Sequence, residues 1–252
     1  MIGRARRARL IAAIMAAVVV AAFAPLRASG QAGDDDGNES VPLTVVADFN
    51  HDGIPDIAVA TSPADESGAG RLTVSLGEAP GKFRPEADDP PLGHAPRAIV
   101  TGDFNRDGNP DVIVGDEDGS LKLFLGDGTG KLAPIGDIAR MSSVVSIAVA
   151  DFNHDGIPDM AVSDWRGSSV AIFLGSGNGS FERLWSFPLR MRGTVAHVAV
   201  ADFNGDGIPD LAVTYGNDDG YTFDVLVGNG KGAFTDAPKL SFTKDPNAHC
   251  PT

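Results

Sequence analysis

One nine-residue string constrains what this chain can fold into: Asp-Phe-Asn-x-Asp-Gly-x-Pro-Asp begins at Asp48, Asp103, Asp151 and Asp202. The copies start 55, 48 and 51 residues apart, and a period near 50 residues fits one four-stranded unit per repeat. Mainly apolar residues, with β-branched ones on both sides, flank every copy; in the first, Val45-Val46-Ala47 precede it and Ile57-Ala58-Val59 follow. Such flanks make the string a strand–loop–strand junction. An EF-hand loop would need a carboxylate at position 12, where this chain has Val59, Val114, Val162 and Val213.

Within the string, oxygen-bearing side chains stand at positions 1, 3, 5 and 9, and Gly at position 6 permits the positive φ that closes a tight turn. The ligand set expected for a hard cation in the first loop is Asp48, Asn50, Asp52, the carbonyl of Ile54, and Asp56. The equivalents are Asp103, Asn105, Asp107, Asn109 and Asp111 in the second loop, and Asp151, Asn153, Asp155, Ile157 and Asp159 in the third. The fourth has Asp202, Asn204, Asp206, Ile208 and Asp210. An all-oxygen set completed by water suits Ca²⁺ better than Mg²⁺, and up to four ions are expected. No His or Cys holds a ligand position, which argues against zinc and copper. His51 and His154 fall at position 4, which Arg106 and Gly205 also occupy, so that position is read as facing solvent. Asp/Asn/Gly turns need no metal in themselves. The case for a cation is that three carboxylates gather in one turn, four times over.

A second string follows each loop: a strand ending Leu-Gly or Val-Gly, a glycine-rich turn, then Phe83, Leu132, Phe181 or Phe234. The copy Gly126-Asp-Gly-Thr-Gly-Lys131 superficially matches a phosphate-binding loop, but Leu132 follows the lysine where Ser or Thr is needed, so a β-turn is expected. Each repeat then parses as four strands; in the third they are Ser146–Ala150, Met160–Ser163, Val170–Leu174 and residues 183–187. Four short antiparallel strands at this period describe a propeller blade.

On these residues the chain resembles the FG-GAP/VCBS repeat family, the calcium-binding blades of integrin α-subunit-like β-propellers, over roughly residues 41–242. The resemblance implies an all-β propeller with Ca²⁺ in the four loops. It also implies a place among adhesion proteins, lectins and the non-catalytic parts of secreted enzymes. The four blades are expected at about 41–94, 95–143, 144–193 and 194–252. Integrin-type propellers have more blades, which leaves three arrangements open here: a closed four-bladed ring, an open arc, or self-association that completes a larger ring.

Residues 1–30 read as a signal peptide: Arg4, Arg6, Arg7 and Arg9, an unbroken apolar run from Leu10 to Phe23, and a cut after Gly30. The competing reading is a retained N-terminal anchor. Residues 31–40 read as a flexible acidic leader, and 41–252 as the propeller domain. Export places the protein outside the cell or at its surface (in the periplasm of a Gram-negative cell), with no stable membrane insertion after cleavage. All 34 Asp and Glu lie after residue 30, against 15 Lys and Arg there. That excess argues against nucleic acid and anionic membranes as partners. Cys250 is the only cysteine, so no internal disulfide forms, and bound metal is the natural replacement.

The loops joining second to third strands point away from the metal loops. They break the repeat with Trp165, Arg166, Tyr215 and Tyr221, the expected contacts for an extracellular protein or glycan. Asp116, Glu117, Asp118, Asp164, Asp218 and Asp219 make that end acidic. The alternative is a secreted hydrolase or lectin-like carbohydrate-active protein using this end. Asp116, Asp118, Asp164 and Asp219 are the carboxylates it would draw on, but no nucleophile motif accompanies them and no catalytic residue is assigned.

Overall fold

A computed structural model describes residues 42–63, 69–79, 81–85, 90–93, 95–188, 194–217 and 220–236. The expected signal peptide and leader, Asp218, Asp219 and Cys250 lie outside the described residues, as do the side chains of Tyr215 and Tyr221.

The described chain forms strands in groups of four, and each group is one antiparallel sheet in sequence order. Blade 1 holds β1 (Leu43–Ala47), β2 (Asp56–Thr61), β3 (Arg71–Ala79) and β4 (Lys82–Pro85). Blade 2 holds β5 (Pro96–Gly102), β6 (Asp111–Asp116), β7 (Ser120–Gly126) and β8 (Leu132–Arg140). Blade 3 holds β9 (Val144–Ala150), β10 (Asp159–Asp164), β11 (Ser169–Gly175) and β12 (Phe181–Pro188). Blade 4 holds β13 (Thr194–Ala201), β14 (Asp210–Asn217), β15 (Gly220–Gly228) and β16 (Phe234–Asp236). Among the described residues no helix is long and apolar enough to cross a membrane.

The register shows why the two repeated strings recur. The residue before each nine-residue string pairs with its last aspartate: Ala47 with Asp56, Gly102 with Asp111, Ala150 with Asp159, and Ala201 with Asp210. Each string is thus the connection of one hairpin. The glycine at or near the end of each third strand likewise pairs with the apolar anchor after its turn, as Gly77 with Phe83 and Gly126 with Leu132. Both connections lie at the same end of the blade, as the strand alternation requires.

Strand periodicity sends alternate residues to opposite faces, and the blades stack face to face. The inner strands β1, β5, β9 and β13 neighbour one another in that order. One core lies between blades 1 and 2 and contains Phe49, Ala58, Leu72, Val112, Val114 and Phe124. Another joins blades 2 and 3 through Phe104, Ile113, Leu123, Met160, Val162 and Phe173. A third joins blades 3 and 4 through Phe152, Ala161, Ile172, Leu211, Val213 and Phe234. Strands β6 and β10 therefore alternate between two cores and are buried at every position, whereas β2 alternates between buried and half-buried residues. Among the described residues no buried cluster joins blade 4 to blade 1.

One expected loop is corrected. Tyr215 and Tyr221 were expected in a loop joining second to third strands, but β14 and β15 run on until Asn217 pairs with Gly220, with Tyr215 opposite Thr222 and Tyr221 opposite Gly216. Thr214, Tyr215 and Tyr221 favour strand, and an Asn/Asp/Gly stretch between them suits a short hairpin turn as readily as a longer loop.

Candidate functional site

The four nine-residue loops share one set of local hydrogen bonds. In the first, Asp48 Oδ1 accepts from the Asp52 amide (3.1 Å) and Asp48 Oδ2 from the Gly53 amide (2.9 Å). Asn50 Oδ1 accepts from the same Asp52 amide (3.0 Å), and Asp52 Oδ1 accepts from the Ile54 amide (2.7 Å). The Asn50 amide donates to Asp52 Oδ2 (2.9 Å). These bonds recur for Asp103, Asn105 and Asp107, for Asp151, Asn153 and Asp155, and for Asp202, Asn204 and Asp206. Oxygens at positions 1, 3 and 5 therefore turn inward over consecutive backbone N–H groups. Short polar side chains that bond their own backbone hold such a turn.

The aspartate at position 9 behaves differently. Asp56, Asp111, Asp159 and Asp210 are fully buried. Asp56 Oδ2 accepts from the Phe49 amide (2.8 Å) and Oδ1 from the Gly77 amide (2.8 Å). Asp111 ties Phe104 to Gly126, Asp159 ties Phe152 to Gly175, and Asp210 ties Phe203 to Gly228. Each carboxylate thus fastens the nine-residue loop to the glycine turn of its own blade. A carboxylate offers about four acceptor sites, so two backbone donors leave lone pairs free for a cation. Burial pushes the Asp111 and Asp159 carboxyls up to about 6, against the lowering effect of their backbone donors. Repulsion from Asp107 and Asp103, and from Asp155 and Asp151, adds to that rise.

The donor chemistry, all oxygen and rich in carboxylate, fits a hard divalent cation. The loops are held by internal hydrogen bonds, and among the described residues no group of three His, Cys, Asp or Glu side chains is gathered at metal-holding distance.

Two residues of the string have roles that the sequence reading missed. The first is Phe at position 2. Phe49, Phe104 and Phe152 are among the most buried side chains, and each enters the core shared with the following blade. Their carbonyls accept from Gly130 (3.0 Å), Gly179 (3.0 Å) and Gly232 (2.9 Å), the turn glycines of that next blade. Phe104 meets Phe181 edge-on at 5.8 Å between ring centroids, and Phe152 meets Phe234 at 5.4 Å. Recurrence of an aromatic residue inside an otherwise polar loop was the available signal.

The second is position 4. His51, Arg106 and His154 have φ of 59°, 60° and 60°, and Gly205 has 80°. This is left-handed backbone that favours glycine. The side chains are solvent-exposed, as expected, yet each also leans on the next blade. His51 Nε2 lies 2.9 Å from Asn109 Oδ1, Arg106 lies over Gly177, and His154 lies over Gly230. Gly205 has no side chain to do this.

At the opposite end, Trp165 is 43% exposed and Arg166 is exposed beside it. Each described acid there has at least one partner, while Asp116 Oδ1 is buried without one. Lys122 Nζ bonds buried Asp116 at 2.6 Å, Arg97 pairs with Glu117, and Arg140 reaches Asp118 at 3.1 Å. Asp164 accepts from the Ser142, Ser143 and Gly167 amides (3.0, 3.0 and 2.9 Å). Asp116, Glu117 and Asp118 thus have cationic partners and Asp164 has amide donors, while Asp218 and Asp219 of the same set lie outside the described residues.

Comparisons with known proteins concern family and fold. The FG-GAP-like repeat matches residues 48–114, 103–162 and 161–213, and the FG-GAP repeat matches 194–234. No curated protein matches the chain. Among solved structures, β-fructofuranosidase from Schwanniomyces occidentalis complexed with fructosyl-erythritol has 13% identity and a TM-score of 0.50, over 75% of this chain and 43% of that one. BBS1N in complex with ARL6DN has 19% identity and a TM-score of 0.44, over 77% of this chain and 54% of that one. The V. cholerae biofilm matrix protein Bap1 has 18% identity and a TM-score of 0.41, over 77% and 38%. The chain spans about half or less of each of these structures. At such identities the likeness concerns fold alone, and that fold is a β-propeller built of four four-stranded blades.

Proposed function

The chain belongs to the FG-GAP repeat family, and from that premise we propose that it is an exported calcium-binding β-propeller acting as a binding or adhesion module. The observation that carries this reading is the fourfold recurrence of one loop. In it, Asp, Asn and Asp side-chain oxygens already face inward over three consecutive amides, as Asp48, Asn50 and Asp52 do over residues 52–54. Asp48, Asn50, Asp52, the Ile54 carbonyl and the remaining lone pairs of Asp56 would hold the ion, with their equivalents in the other loops. Binding replaces the Asn50–Asp52 side-chain bond with oxygen–metal contacts and relieves repulsion among the carboxylates.

The metal is structural in this reading. At millimolar Ca²⁺ and a dissociation constant of about 0.1 mM, each site contributes roughly 1.5 kcal/mol. Four such sites amount to about 6 kcal/mol, comparable to the whole stability of a domain. Recognition of an extracellular protein or glycan is assigned to the opposite end, where Trp165 and Arg166 are exposed.

The test is thermal unfolding in excess EGTA and in 2 mM Ca²⁺. A marked calcium-dependent rise in Tm is expected for the wild type. It should disappear in the variant combining Asp52→Ala, Asp107→Ala, Asp155→Ala and Asp206→Ala. Superimposable wild-type melts in the two buffers would overturn the calcium reading.

A further inference from the structure

Among the described residues the same blade junction is built three times, and both halves of a fourth stand exposed on the outer faces of blades 1 and 4. In every internal junction the trailing face of one blade supplies the position-2 Phe, whose carbonyl accepts from a turn glycine of the next blade. The leading face of that next blade supplies the anchor that follows the turn: Leu132 (5% exposed), half-buried Phe181 and Phe234 (7%). On the outer faces of blades 1 and 4 the equivalents are exposed. Phe203, the position-2 residue of blade 4, is 49% exposed, and Phe83, the anchor of blade 1, is 47% exposed.

The faces around these two residues follow suit. On the leading face of blade 1, Val46 is 52% exposed, and Ile57 and Val59 are half-buried where Val112 and Val114 of blade 2 are fully buried. On the trailing face of blade 4, Ala212, Val225 and Val227 are half-buried, whereas their counterparts Ala58, Val74 and Leu76 in blade 1 are buried. Charge agrees with the match: the loop of blade 4 exposes Asp202 and Asp206, and the exposed Lys82 stands next to Gly81, the turn glycine that the Phe203 carbonyl would meet.

We infer that a second copy of this chain completes the fourth junction, the Phe203 face of one copy docking on the Phe83 face of the other. The occupant is specified because the matching half exists in the chain itself, continuous with three junctions already built. Such a contact is heterologous, and heterologous contacts form a ring when the rotation closes. Two copies joined at both ends give eight blades, within the range of propellers. The end junction is weaker than the internal ones. Ser75 stands where Phe124, Phe173 and Leu226 fill the others, and Gly205 lacks the side chain that His51, Arg106 and His154 lay across the next blade. Association is therefore reversible and depends on concentration. This inference does not rest on the calcium reading.

The experiment is sedimentation of the full chain across a concentration series, with Phe203→Asp and Phe83→Asp variants. The wild type is expected to approach twice the 26.0 kDa of one chain, and each variant alone to stay monomeric. An equimolar mixture of the two variants regains one intact junction, Phe203 against Phe83, and dimerises again. Misfolding would not be rescued by mixing, and association through the apolar N-terminal run would survive both substitutions. A monomeric wild type, variants that still dimerise, or a mixture that stays monomeric would each overturn the inference.

Discussion

Phe104 and Phe203 hold the same position in the same string, yet one is 1% exposed and the other 49%. Their own loops are equivalent in hydrogen bonding: each Phe amide donates to a buried aspartate, Asp111 or Asp210. What differs is the neighbour, because Phe104 faces blade 3 and Phe203 faces no blade of its own chain among the described residues. The contrast separates two layers of information. The repeat encodes a blade, closed by its own turns and ties, and the core forms only where two blades meet.

Phe104→Ala is the substitution that should separate the two layers most. Removing a buried aromatic from a packed junction costs about 3–5 kcal/mol, and denaturant unfolding at low protein concentration measures it. Phe203→Ala under the same conditions is expected within about 0.5 kcal/mol of wild type. Equal losses at the two sites would mean that the end face is packed in solution.

Asp111→Ala and Asp210→Ala should behave more alike, because the tie they make is internal to a blade. Each leaves two backbone amides without their acceptor, at a cost of about 2–3 kcal/mol. A much smaller loss at Asp210 would show that burial by a neighbouring blade, rather than the tie itself, sets the energy.

The smallest contrast is between turn glycines. Gly130 has φ of +97°, and a Cβ there would meet Leu76 of blade 1 at 2.7 Å, whereas Gly81 has φ of +75° and open space around it. Both Ala variants carry backbone strain, about 1 kcal/mol. Gly130→Ala should lose somewhat more through the crowded junction, readable as a difference in urea midpoint.

The strand plan was legible because a strand's two-residue alternation and the turn residues are local properties: β9 to β12 begin and end close to where Ser146, Met160, Val170 and Phe187 placed them. The inward turn of Asp48, Asn50 and Asp52 was legible for the same reason, since their partners lie within five residues. The unforeseen features depend on distant residues. Asp56 reaches Gly77, His51 reaches Asn109, and Lys122 neutralises Asp116, and none of these pairings follows from spacing. Position 4 lay between these cases. It was read only as facing solvent, and Gly205 there beside two His and an Arg was the signal of left-handed backbone that a tally of side-chain types passes over.

Strands β6 and β10 are the two that both of their flanking cores cover from end to end. In a chain of stacked units held by nearest-neighbour contacts, opening proceeds from the outside inward. Amide protons of Val112–Gly115 and Met160–Ser163 should then exchange with solvent last, at rates that report global unfolding, while those of β4 and β16 exchange through local fraying. The two middle blades are accordingly where the protein's lifetime against proteolysis is decided.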